Sequence, residues 1–108
     1  MPQSQVKNLI NGQKMRSGQA SMDIISPLDG SVISNLPMSN SSDLDAAVEA
    51  AKKAYPMWSG MTLKERVQIF FKYRQLLEEN IEELTELVHL ENGKTRDEAR
   101  AEVLKSME

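Results

Sequence analysis

Few side chains in this sequence could carry chemistry, and none of them lies in a complete catalytic or metal-binding pattern. The 108 residues contain no cysteine, which excludes a disulfide, a thiolate metal ligand and a cysteine nucleophile within them. The single histidine, His89, has no histidine or cysteine nearby to complete a metal site and no nucleophile to complete a catalytic triad. We therefore predict a structural or surface role for His89.

The run Gly93-Lys94-Thr95 resembles the end of a phosphate-binding loop. Such a loop needs another glycine five residues before Gly93, where this sequence has Val88. It also follows a β-strand, whereas the residues before Gly93 have a helical pattern. We predict instead that Gly93 ends one helix and that Thr95 caps the next one.

The remaining candidates have ordinary structural interpretations. Six glutamates could suggest a cation site or an acid/base pair, but acidic runs on a helix are typical of a solvated face; they are Glu78, Glu79, Glu82, Glu83, Glu86 and Glu91. The seven methionines are scattered, which favours gap filling over a binding groove. We interpret Trp58 as the lid of a small core. The sequence predicts no catalytic, cofactor-binding or metal-binding residue.

Composition limits the class of protein. The apolar fraction of 40% is typical of a globular chain, and the net charge of −3 disfavours nucleic acid and anionic membranes as partners. No run of about 18 apolar residues could span a membrane, and no apolar stretch near residue 1 has the length of a signal peptide. We therefore predict a cytoplasmic protein that binds neither nucleic acid nor membrane.

The first part of the chain has the pattern of short β-hairpins. Residues 1–60 hold all four prolines and four of the five glycines. Asn11-Gly12 suits a tight turn between strands near 7–10 and 13–17, because both residues tolerate positive φ. Pro27-Leu28-Asp29-Gly30 suits a turn between strands at 22–26 and 31–36. We predict a disordered N-terminus over residues 1–6 and a β-hairpin region over 7–38.

From residue 39 to 108 the pattern is helical. Ser42 is the predicted cap of a first helix that ends at Pro56, and Thr62 and Glu65 have the spacing of a capping box for the next. Asn80 marks a predicted break, and the last helix has no visible end before Glu108. Behind the capping box, seven apolar residues make a broad face suited to burial: Val67, Ile69, Phe70, Tyr73, Leu76, Leu77 and Leu84. We predict an α+β fragment with three to four helices, truncated from a larger domain.

Several motifs, taken in order, resemble the opening of NAD(P)-dependent aldehyde dehydrogenases. They are Asn11-Gly12, the turn from Ser26 to Ile33, the segments Leu44-Asp45-Ala46-Ala47-Val48 and Ala54-Tyr55-Pro56-Met57-Trp58, and the segment Leu87-Val88-His89-Leu90-Glu91-Asn92-Gly93-Lys94-Thr95-Arg96-Asp97-Glu98-Ala99. The resemblance spans roughly residues 7–108. Within the family, residues 71–77 and 91–95 look closest to methylmalonate-semialdehyde and other semialdehyde-type members.

The resemblance implies an architectural role for this chain. Family members oxidise an aldehyde through a cysteine thiolate and transfer hydride to NAD or NADP, which needs a dinucleotide fold and oxyanion donors. In the family those parts lie beyond the matched region. The resemblance therefore implies an N-terminal segment of the α/β cofactor-binding domain of a full-length, homo-oligomeric enzyme, with an aldehyde substrate and with no cofactor bound by this segment. The alternative is a stand-alone helical module that binds other proteins through its amphipathic helices.

Overall fold

The computed structural model describes residues 4–16 and 20–108. Five strands precede four helices in this part of the chain, which confirms the predicted order of hairpins and helices. The residues divide into two compact units. One contains the chain up to Ile25 together with Ser31–Gly60, and the other contains Ser26–Gly30 and Met61–Glu108. The first helix thus groups with the strands, whereas our sequence interpretation placed it with the other helices.

The predicted Asn-Gly hairpin is confirmed. Strands β2 (Asn8–Ile10) and β3 (Gln13–Met15) are antiparallel, with Ile10 opposite Gln13. The two turn residues Asn11 and Gly12 have φ values of 52° and 74°. Two positive φ angles are the requirement of the type I′ turn, whose twist matches that of the strands it joins.

The second hairpin is also confirmed, and it belongs to a three-stranded sheet. Strands β4 (Ser21–Ile25) and β5 (Val32–Pro37) are antiparallel, with a register shift between Ile24 and Ile25. Strand β1 (Ser4–Gln5) pairs in parallel with β5. Residues 4 and 5 therefore differ from the predicted disordered N-terminus, because β5 offers them a free edge for backbone pairing. Residues 1–3 of that prediction lie outside the described residues.

Helix α1 (Ser41–Gly60) differs from the prediction at both ends. Its cap is Asn40 and not Ser42, because Asn40 Oδ1 accepts from the Asp43 amide at 3.0 Å while Asp43 Oδ2 accepts from the Asn40 amide at 2.9 Å. The helix also continues past Pro56 to Gly60. A proline removes one backbone hydrogen bond, and water can supply the lost partner because no residue of α1 is buried.

Helices α2 (Leu63–Glu79) and α3 (Ile81–Asn92) confirm the break at Asn80. The Thr62–Glu65 capping box forms as predicted, and the hydrogen bonds from the Thr62 amide and hydroxyl lower the pKa of Glu65. Asn80 occupies the N-cap position of α3, but its side chain makes no capping hydrogen bond there. Its side chain donates to the Leu76 carbonyl at 2.7 Å and so ends α2.

Helix α4 (Arg96–Ser106) packs against α3, and this pair holds the hydrophobic core of the second unit. Ala99 is fully buried and Val103 is 6% exposed. The predicted apolar face of α2 is present and is largely exposed in this chain, with Ile69 50% exposed and Phe70 57% exposed. No residue of α2 is buried.

The capping box of α4 generates a first testable prediction. Replacing Thr95→Ala removes the acceptor of the Glu98 amide, so the free energy of unfolding should fall by about 1 kcal/mol. Urea titration followed by circular dichroism measures the loss. Thr95→Ser keeps the hydroxyl and should retain most of the stability; equal losses in both variants would contradict the capping role.

Gly93 generates a second prediction, because it has a φ of 78° and Pro27 lies close to it. A Cβ added at Gly93 would lie 3.1 Å from Pro27 Cγ, so Gly93→Ala should lower the free energy of unfolding by about 1–2 kcal/mol. The control is Gly60→Ala, where an added Cβ meets nothing within 4 Å. The same urea titration should show little change or a small gain for that control, and equal effects at the two glycines would contradict this account.

Candidate functional site

The turn between α3 and α4 brings together the chemistry-bearing residues that the sequence singles out. Gly93 is left-handed and its amide donates to the His89 carbonyl, and Thr95 forms the capping box of α4, so both predicted caps are confirmed. His89 Nδ1 lies 2.5 Å from the Lys94 carbonyl oxygen. A carbonyl only accepts, so Nδ1 carries the proton and His89 braces the turn.

The geometry of this turn does not suit phosphate binding. It follows a helix, as the sequence indicates, and the Lys94 ammonium lies 2.5 Å from Glu102 Oε2. The hydrogen bond that the Lys94 ammonium donates to Glu102 raises the pKa of Lys94 and ties its charge to a carboxylate of α4. The lysine that a phosphate loop needs is thus held by a carboxylate of the same chain.

Two further ion pairs link α3 to α4. Arg96 donates to both carboxylate oxygens of Glu86, at 2.9 and 3.0 Å, and this hydrogen bonding lowers the pKa of Glu86. Arg100 pairs with Glu82 one turn further from the connection. Both pairs are solvent-exposed, so they fix the register of the two helices more than they stabilise the fold.

These cross-helix pairs were missed in the sequence interpretation, although a signal was present. The acidic residues Glu82 and Glu86 are four apart on α3, and the basic residues Arg96 and Arg100 are four apart on α4. Opposite charges at helical spacing on two helices joined by a short turn indicate an antiparallel pair. The two spacings place each acid opposite one base.

Two further glutamates of the predicted acidic run, Glu78 and Glu79, contact neighbouring side chains on α2. Glu78 pairs with Arg74 at 3.4 Å, and Glu79 accepts from Gln75 at 2.9 Å. Both contacts lie along the exposed face of α2, as expected for a solvated helix face. Among residues 4–16 and 20–108, no group of three or more histidine, aspartate or glutamate side chains could hold a metal ion.

The methionines and Trp58 were interpreted as core residues, and the structure corrects the first of these interpretations. Four methionines do not fill gaps but are exposed, namely Met15, Met22, Met38 and Met57. Gap filling needs a packed interior around the thioether, and these four side chains are between 42% and 75% exposed. Trp58 is half-buried on α1.

The residues present do not fit the pyrophosphate of a dinucleotide. In the described part of the chain, the one passage from a strand to a helix runs from β5 to α1 through Met38-Ser39-Asn40, without glycine. A glycine turn is what lets the backbone approach the pyrophosphate closely. At this helix N-terminus the Asp43 carboxylate accepts from the Asn40 amide, so its negative charge occupies the place where a phosphate would bind.

No helix in the described ranges is long and apolar enough to cross a membrane.

Comparisons with known proteins agree on one family. Residues 14–108 match the aldehyde dehydrogenase family. The chain is 42% identical over 104 residues to a malonate-semialdehyde dehydrogenase of Halalkalibacterium halodurans. The matched region covers 95% of this chain and 21% of that relative. The chain thus spans about a fifth of the length of the curated relatives it matches.

Two solved structures share the fold. An NAD-dependent benzaldehyde dehydrogenase from Corynebacterium glutamicum superposes with a TM-score of 0.90 and 37% identity, covering 94% of this chain and 23% of that one. The second structure is described as a methylmalonate-semialdehyde dehydrogenase from Sinorhizobium meliloti complexed with NAD. It superposes with a TM-score of 0.92 and 31% identity, and the match covers 97% of this chain and 22% of that one. The resemblance seen in the motifs is confirmed, and the chain belongs to the aldehyde dehydrogenase family.

Proposed function

We propose that this chain supplies outer strands and covering helices to an NAD(P)-dependent semialdehyde dehydrogenase, and that residues outside the chain carry out catalysis. Two observations together carry this proposal. Residues 14–108 match the aldehyde dehydrogenase family, and helices α1 and α2 contain no buried residue. A chain that matches a fifth of its relatives and leaves two helices uncovered has the properties of one part of a larger domain.

The exposed apolar faces support an architectural role. On α1 an apolar stripe with helical spacing is solvent-exposed at Leu44, Val48 and Tyr55. On α2 the exposed residues are Ile69, Phe70, Tyr73 and Leu76, which we call the α2 apolar face. Contiguous apolar surface of this kind marks a region that packs against other protein.

The chemistry of the reaction supports catalysis from outside the chain. Oxidation of an aldehyde by this family requires a cysteine thiolate that adds to the carbonyl carbon and donors that stabilise the resulting oxyanion. The chain has no cysteine. The basic side chains Lys94, Arg96 and Arg100 at the α3–α4 turn are each held in an ion pair with a glutamate.

We further propose a semialdehyde as the substrate of the whole enzyme. Support comes from the 42% identity to a relative named malonate-semialdehyde dehydrogenase and from the NAD-complexed neighbour described as a methylmalonate-semialdehyde dehydrogenase. Because the described residues do not fit a dinucleotide, NAD or NADP would be held by other parts of the enzyme. The substrate would likewise be selected elsewhere.

We also propose that the enzyme is a cytoplasmic homo-oligomer. The exposed apolar faces on α1 and α2 support contact with other protein, either within one subunit or between subunits.

Fragment complementation tests the proposed function and generates a third prediction. The malonate-semialdehyde dehydrogenase of Halalkalibacterium halodurans, with its matching 104-residue region removed, should be inactive alone. Adding this chain should restore NADH formation from malonate semialdehyde, because the chain re-covers the truncated domain. The chain by itself should give no NADH above a blank.

The matched controls separate packing from charge. Ile69→Lys places a charge on the α2 apolar face and should abolish complementation, whereas Gln68→Lys adds the same charge to the exposed opposite side and should not. NADH formation by the chain alone would contradict the architectural proposal. Failure of the unaltered chain to bind the truncated enzyme would favour the stand-alone interaction module.

The same face generates a fourth prediction, on the isolated chain. Because about half of the α2 apolar face is exposed to solvent, the chain should self-associate and bind an apolar dye at high concentration. Sedimentation velocity measures the association. Ile69→Lys should reduce both association and dye binding, and Gln68→Lys should leave them unchanged; a monomer that binds no dye would contradict the prediction.

A further inference from the structure

Three residue pairs in the described part of the chain could form a cyclic imide, and they differ in the hydrogen bonding of the glycine amide. Asn11-Gly12, Asp29-Gly30 and Asn92-Gly93 each place an amide or carboxyl side chain before glycine. All of these residues are exposed, so solvent access does not distinguish the pairs. The reaction instead depends on whether the glycine nitrogen is available to attack the preceding side chain.

The glycine nitrogen is engaged at two of the pairs. Gly93 donates its amide to the His89 carbonyl at 3.0 Å, within the left-handed end of α3. Gly30 donates its amide to the Ser26 carbonyl at 2.9 Å. Attack from either nitrogen first requires that this hydrogen bond break.

The Asn11-Gly12 pair is the exception. Gly12 occupies the second position of the two-residue turn, outside the β2–β3 ladder, and its amide has no hydrogen-bond acceptor within the part of the chain that the structure describes. No atom lies within 4 Å of the position that a Cβ would take on Gly12, whereas Pro27 crowds Gly93 at 3.1 Å. Only the first turn leaves both the nitrogen and the space around it open.

We propose that Asn11 is the deamidation site of this protein in its folded state. The Gly12 nitrogen attacks Asn11 Cγ, the N–Cγ bond forms, and the Cγ–Nδ2 bond breaks. Ammonia leaves, with the proton of the Gly12 nitrogen transferred to it. Water then opens the cyclic imide at either carbonyl, which yields aspartate or isoaspartate at position 11.

The isoaspartate product would disturb the hairpin. It adds one methylene carbon to the backbone of a turn that has only two residues between Ile10 and Gln13. A type I′ turn needs its two φ angles near their left-handed values, and a longer backbone cannot keep both the turn and the register. Conversion should therefore weaken the pairing of β2 with β3 and the contact of β2 with α1.

The experiment compares the sites within one molecule. The purified 108-residue chain is incubated at mildly alkaline pH with and without urea, and mass spectrometry of its peptides follows amide-to-acid conversion at Asn11 and Asn92. An isoaspartyl methyltransferase labels isoaspartate at positions 11 and 29. Without urea, Asn11 should convert at least about fivefold faster than Asn92, the factor that one backbone hydrogen bond is worth.

In urea the advantage should shrink towards equality, because both sites then become Asn-Gly pairs in an unfolded chain. Equal rates without urea, a faster Asn92, or a ratio that urea leaves unchanged would each overturn the proposal. Asn11→Gln serves as the control and should remove the converted peptide. Hydrogen exchange provides a second measurement, in which the Gly12 amide should exchange faster than those of Gly30 and Gly93; equal exchange would also overturn the proposal.

Discussion

Burial of apolar surface is the constraint on which the rest of this chain depends. Helices α1 and α2 together make up a large part of the sequence, yet neither contains a buried residue. The hydrophobic effect is proportional to the area removed from water, so these helices gain little from the contacts they make here. Their capping hydrogen bonds define where they begin, but their apolar faces require other protein to cover them.

Helices α3 and α4 pack against each other and bury apolar side chains between them. Ala99 and Val103 are buried, the turn between the helices is tight, and Pro27 lies against Gly93. A Cβ at residue 93 would lie 3.1 Å from Pro27 Cγ, which is closer than ordinary van der Waals contact. The surrounding charges are paired across the two helices, so the segment that most resembles a phosphate loop is a structural turn. A motif defined by residue types thus has a different role once its backbone context is known.

Much of the local structure could be predicted from the sequence. The turns at Asn11-Gly12 and at Asp29-Gly30, the capping boxes at Thr62 and Thr95, and the left-handed Gly93 all form as predicted, because each depends on residues close in the chain. The two errors in the bounds of α1 also concern residues close together in the chain. Asn40 competes with Ser42 for the start of α1, and the chain can continue a helix past Pro56 where water replaces the missing partner.

The sequence by itself determined the family, the order of elements and the absence of a cysteine nucleophile from these residues. Those properties follow from residue identity and short-range spacing. Tertiary structure decided which apolar faces are covered, that β1 pairs in parallel with β5, and which glycine amides are engaged. Each of these depends on residues distant in the chain, and residue types alone do not specify which distant partners meet.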